Sequence, residues 1–86
     1  MLVNWSLHAK HRFAERAIKL GINYGDIEFE IKKQKVKIKE GKNRFKTIFK
    51  IEPHMLTAVK LETNEYLHVL TLWESTEEEA KEWSKK

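Results

Sequence analysis

The sequence predicts an α+β domain, and three observations predict it: a strong helical period near the start, a change to period two from Lys35, and a capping pattern near the end. The first lies in Ser6-Leu-His-Ala-Lys-His-Arg-Phe-Ala-Glu-Arg-Ala-Ile-Lys-Leu-Gly21. At about 100° per residue, Leu7, Phe13, Ala14, Ala17, Ile18 and Leu20 gather on one broad side, the expected packing face. His8, Arg12, Glu15 and Lys19 gather on the other, flanked by His11 and Arg16. Ser6 as N-cap and Gly21 as the residue after the last turn bound a helix over about 6–20.

The remaining elements follow in order. Met1 to Trp5 alternates loosely, as a short strand or an arm over the helix start would, and is not assigned. Ile22 to Asp26 reads as a turn, and Asp26 caps a second helix over about 26–34, with Ile27 and Ile31 inward and Phe29 needing a separate contact. A strand competes there, because Ile27, Phe29 and Ile31 alternate with Glu28, Glu30 and Lys32; the two glutamates favour helix. From Lys35, Val36 and Ile38 alternate with lysines, giving a strand over about 35–40. Glu40 to Asn43 reverses the chain into a strand over about 43–52. There Phe45, Phe49 and Ile51 point one way, and Arg44, Lys46, Ile48 and Lys50 the other. Pro53 ends it, since proline cannot donate to a ladder. Two further strands, about 55–62 and 66–74, are apolar on both faces, with His68 sharing a face with Tyr66, Leu70 and Leu72. Ser75-Thr-Glu-Glu78 has the form of a capping box and opens a helix over about 76–84 that offers only Ala80 and Trp83 for packing. The expected architecture is one domain over 1–86: N-terminal helices packed on a four-stranded antiparallel meander, plus a short C-terminal helix.

A chain of 86 residues has no room for a second core, and its stability is expected to be modest unless it forms a homodimer. The absence of cysteine excludes disulfides and thiolate metal sites. No apolar run spans a bilayer and the start lacks the pattern of a signal peptide, so no membrane association and a cytoplasmic location are expected. Lys plus Arg outnumber Asp plus Glu by 17 to 13. The distribution says more than the sum. Residues 32–50 carry eight Lys and one Arg against one acid, whereas residues 74–82 carry five Glu against one Lys. Such a basic stretch suits a nucleic-acid surface and equally suits the solvated, blunted edge of a sheet. His8-x-x-His11-x-x-x-Glu15 sets three potential ligands on one helix face, but one helix rarely supplies a whole site, so neither metal nor cofactor is expected. With no Gly-rich phosphate loop and no nucleophile elbow, nucleotide hydrolysis and serine hydrolase chemistry are set aside.

Over about residues 6–74, the helix His8-Ala9-x-x-Arg12-x-x-x-Arg16, the paired second helix and the strand meander together resemble a family of small uncharacterised domains that begin with a His-Ala-x-x-Arg helix. That family is grouped with RelE-, ParE- and BrnT-like toxins in the barnase, EndoU, colicin and RelE fold class. Lys19-Leu20-Gly21 departs from its pattern, in which glycine and isoleucine follow the second arginine almost directly. The resemblance implies RNA cleavage without a metal, or a relic of it, on ribosome-associated message, with an acidic antitoxin protein as partner. Such cleavage needs a base near the 2′-hydroxyl, an acid near the leaving oxygen and fixed positive charge at the phosphate. The candidates are His8 and His68 for acid and base, Arg12 and Arg16 for the phosphate, and Lys37, Arg44, Lys46 and Lys50 for the RNA backbone. Each has a structural alternative. Arg12 pairs as readily with Glu15, Arg16 with Asp26 or a nearby glutamate, and His68 fits a core position. The functional alternative is a non-catalytic module that binds RNA, or an acidic segment added at the Lys35 to Lys39 edge, through its basic sheet face.

Overall fold

Local chemistry near the start already sets two elements at right positions: Ser6 ends a strand and caps the helix that follows. A computed structural model describes residues 2–33 and 35–85, with β1 at Leu2–Trp5, α1 at Leu7–Arg16, a 3₁₀ turn at Ile18–Leu20 and α2 at Tyr24–Lys33. Then come β2 at Val36–Gly41, β3 at Arg44–Ile51, β4 at His54–Glu62, β5 at Tyr66–Glu74 and α3 at Glu77–Ser84. The Ser6 side chain accepts from Ala9 N at 3.0 Å and donates to Leu70 O at 2.8 Å, so one hydroxyl caps α1 and ties it to β5.

The α+β class holds, but the sheet is not a four-stranded antiparallel meander. It is five-stranded and mixed, in the order β1-β5-β4-β3-β2. The unassigned N-terminal stretch supplies the fifth strand: Leu2–Trp5 runs parallel to β5, with Leu2 opposite Tyr66 and Trp5 opposite Val69. Four residues are too few for a period, and a parallel partner at the far end of the chain leaves no hairpin signal. Met1, Lys86 and the expected end of the second helix at residue 34 lie outside the described residues.

One face of the sheet carries the core. Ala9 and Phe13 from α1, Ala17 just after it, and Ile27 and Ile31 from α2 pack on Phe49, Leu56, Ala58, Leu67, Val69 and Leu72. Trp5, Phe13 and Tyr24 extend it as an aromatic cluster, Phe13 stacking on Tyr24 at 3.8 Å, while Trp5 donates its indole N–H to Glu28 at 2.8 Å. Three local expectations shift. The first helix ends at Arg16, with a 3₁₀ turn carrying the chain to Gly21 at φ 76°. The start of α2 is set by Asn23, whose side chain accepts from Asp26 N at 2.9 Å while Asp26 accepts from Asn23 N at 3.3 Å. The capping box of α3 is Thr76 with Glu79, one residue later than Ser75-x-x-Glu78. Ser75 bonds instead to Thr57, hydroxyl to hydroxyl, at 2.8 Å.

Candidate nucleic-acid interface

Alternation along each strand decides which side chains reach the face opposite α1 and α2. Leu67 and Val69 belong to the core, so His68 between them points to the other face. Cross-strand partners share a face, and the register therefore sets Asn4, His68, Leu61 and Arg44 in one row across β1, β5, β4 and β3. Tyr66 lies beside His68, ring centroids 6.4 Å apart, and is 36% exposed. The next row holds Thr71, Val59, Lys46 and Ile38. A bulge in β5 between Val69 and Thr71 moves Leu72 into the core. His68 consequently shares its face with Tyr66 but not with Leu72, contrary to strict alternation.

α3 covers one end of this face. Glu79, 7% exposed, accepts from the Trp73 indole at 2.9 Å and from Thr76 N at 2.8 Å, and its second oxygen lies 3.4 Å from Lys46 Nζ. Burial alone would raise this carboxyl; those donors and the Lys46 charge outweigh it and hold Glu79 below the ordinary carboxylate value. Trp83 lies under two ammonium groups, Lys35 at 3.7 Å and Lys50 at 5.6 Å from its ring centroid. The other end, bearing Tyr66, His68, Leu61 and Arg44, is left open by α3. The ion pair of Arg44 with Glu40 is long and exposed, at 3.9 Å, so its guanidinium is readily exchanged to a phosphate. Lys50 is held by Glu52 at 2.8 Å.

The expected site residues therefore divide between two sides of the molecule. His68 and Arg44 share the open end of one face, whereas Lys46 pairs with Glu79 and Lys50 lies between Glu52 and Trp83 at the end of that face that α3 covers. His8, Arg12 and Arg16 sit on α1, beyond the core on the opposite side, so the two histidines cannot act on one phosphate as an acid and base pair. Arg12 makes the expected pair with Glu15, at 3.6 Å, and Glu15 also lies 3.9 Å from His11. Arg16 lines a hollow of about 420 Å³ with Glu15, Lys19, Leu20 and Glu74, away from Asp26's capping role. Among the described residues, His8, His11 and Glu15 do not gather as a metal-ligand group.

Lys37 also departs from the basic face. It pairs with Thr47 in register and so points to the helix side, where Nζ donates to Glu62 at 2.8 Å over the Phe45 ring. The same carboxylate lies 2.9 Å from Lys60 Nζ, a side chain with no exposed surface. Burial pushes Lys60 below its ordinary value, against the opposing pull of Glu62. Burial would raise Glu62, but Lys37 and Lys60 hold it below the ordinary range. Sequence reading missed Lys60 and Glu62. Their one signal is a lysine at a core-facing position of a strand otherwise filled with Leu56 and Ala58 on that face.

No protein-family model, curated protein or solved structure matches this chain. Among the described residues, no helix is long and apolar enough to cross a membrane.

Proposed function

We propose that this protein binds single-stranded RNA across the open face of its sheet, as a RelE/BrnT-like toxin-type domain, and that His68 is the group on that face suited to metal-independent cleavage. The observation carrying the reading is the row Asn4–His68–Leu61–Arg44 with Tyr66 alongside. It combines what single-stranded RNA recognition uses: an aromatic ring for stacking, a guanidinium for phosphate and polar edges for bases. Arg44 lies two strands, roughly 10 Å, from His68, with Lys46 and Lys50 continuing the positive charge along β3. In this arrangement His68 takes the proton of the 2′-hydroxyl as that oxygen bonds to phosphorus, the 5′-oxygen leaves with a proton from water to give a 2′,3′-cyclic phosphate, and Arg44 holds the phosphate. Arg12, paired with Glu15, and Arg16 lie on the other side of the sheet and take no part.

The test is end-labelled single-stranded RNA in chelator, titrated at several salt concentrations. A phosphate held by Arg44 contributes about −0.7 to the slope of log affinity against log salt for a single strand, and Lys46 and Lys50 add to it only by leaving Glu79 and Glu52. Arg44→Ala should reduce its magnitude by about 0.7, and Lys37→Ala should leave it unchanged. Cleavage abolished by His68→Ala with binding retained supports the catalytic assignment. Salt-dependent binding with no product from wild type removes that assignment and leaves a binding module. Salt-independent binding, or none, refutes the reading as a whole.

A further inference from the structure

The sheet face that carries His68 and Arg44 continues beneath α3. Along β3 that face holds Arg44, Lys46, Ile48 and Lys50, and the register sets Ile38 and Val59 beside Lys46, and Val36 and Thr57 beside Ile48. Val36 and Ile48 are buried yet stand apart from the core on the helix side, and the element that shields them is α3. Three cations at this end are occupied by two α3 side chains. Glu79 lies 3.4 Å from Lys46 Nζ, and the Trp83 ring lies 3.7 Å from Lys35 Nζ and 5.6 Å from Lys50 Nζ.

α3 also brings the charge of a ligand for such a face. Residues 74–82 carry five Glu against one Lys, set over a sheet whose outward lysines and arginine would otherwise hold phosphates. Its attachment is slight. Glu79 is the one buried residue of α3, Ala80, Glu82 and Trp83 are half-buried, and none of them belongs to the main core. An element with so little buried surface opens at a cost well below that of unfolding the sheet. The capping box of Thr76 and Glu79 meanwhile fixes where the helix starts and how it sits on the face. We propose that α3 is an acidic lid that competes with RNA for the covered half of the face. Closed, it holds Lys35, Lys46 and Lys50; a strand of RNA that extends past Arg44 displaces it, takes those cations for its phosphates and lays bases over Val36 and Ile48. The lid rests on the reading of the open face as an RNA surface, and the test separates the two.

The test uses the full chain and an end-labelled 2′-O-methyl oligouridylate of about 12 nucleotides, which lacks the hydroxyl needed for cleavage. Amide hydrogen exchange of α3 is followed with and without it. Bound oligonucleotide should speed exchange across Ala80 to Ser84 about tenfold, while amides of β5 around Leu67 and Val69 are unchanged or slowed. Thr76→Ala and Trp83→Ala loosen the lid without touching Arg44, His68 or Tyr66, and should tighten binding about fivefold and about tenfold respectively. With Arg44, Lys35, Lys46 and Lys50 each contributing about −0.7, the slope of log affinity against log salt should approach about −2.8. Both variants should keep the sheet, checked by an intact melting transition. Unchanged or slowed exchange of α3, or variants that bind no more tightly than wild type, would overturn the lid and leave the RNA reading in place. Absence of binding by wild type and by both variants would overturn both.

Discussion

Burying the Lys60 ammonium among core-facing strand positions is costly, and the Glu62 carboxylate 2.9 Å away is what makes it tolerable. The two partners are not equivalent. Glu62 keeps Lys37 if Lys60 is removed, whereas Lys60 keeps no carboxylate within 4.0 Å among the described residues if Glu62 is removed. Glu62→Gln should therefore cost on the order of 3 kcal/mol, a fall of about 12 °C or more in melting temperature for a chain of this size. Lys60→Met should hold or raise the melting temperature. The pH dependence follows from the directions of the shifts. Glu62 and Glu79 lie below 4.5 in the folded chain, so their contribution is fully present above pH 4.5 and is lost as pH falls through the lowered values. Lys60 is lowered from 10.5, so stability rises with pH from its folded value up to 10.5. Denaturant titrations across pH should show Glu79→Gln flattening the acid limb and Lys60→Met removing the alkaline rise. The sequence carries only the position of Lys60 in alternation with Leu56 and Ala58, and not its burial, because burial of one lysine depends on which strands flank it.

Elements were legible where their signals are local. The Ser6 cap and the alternation through Arg44 to Ile51 are read from neighbours a few residues apart, and each side chain of β3 points as the alternation predicts; Gly21 takes the expected left-handed conformation but closes the 3₁₀ turn and not the helix. The misreadings arise where tertiary contact selects among local options. Either Ser75 or Thr76 could cap α3; Thr57 engages Ser75, and Trp73 and Lys46 draw Glu79 inward, so Thr76 takes the cap. Thr76→Ala should then cost about 1 kcal/mol, with loss of the near-ultraviolet signal of Trp83 as α3 loosens from Lys35 and Lys50. Ser75→Ala should leave the helical signal of α3 intact. For the first helix the wheel gathered Leu7, Phe13, Ala14, Ala17, Ile18 and Leu20 on the packing side, but it could not apportion them and did not include Ala9, which is fully buried. The sheet takes the Ala9, Phe13 and Ala17 stripe, where small residues and one aromatic allow close approach, and leaves Leu7 and Ile18 in water.

For the whole molecule, the mixed sheet acts as a partition with extents of 32 × 28 × 18 Å overall. Its helix side holds the core, the Lys37–Glu62–Lys60 group and the outward α1 surface; its other side holds α3 and the open rows around His68. This partition is why the candidate site was only partly legible. Residue types and the basic stretch are visible in the sequence, but the side to which each belongs depends on the β5 bulge, the register of β2 and the N-terminal strand. The motif helix that carries the family resemblance and the strand face that carries the proposed chemistry prove to be on opposite sides. The most direct measurement of that separation is the affinity of end-labelled single-stranded RNA for four folded variants. The account predicts that Arg44→Ala and Tyr66→Ala each weaken binding about tenfold while His8→Ala and Arg12→Ala match wild type. Loss of binding in His8→Ala and Arg12→Ala, with Arg44→Ala and Tyr66→Ala unchanged, would contradict it and return the site to α1.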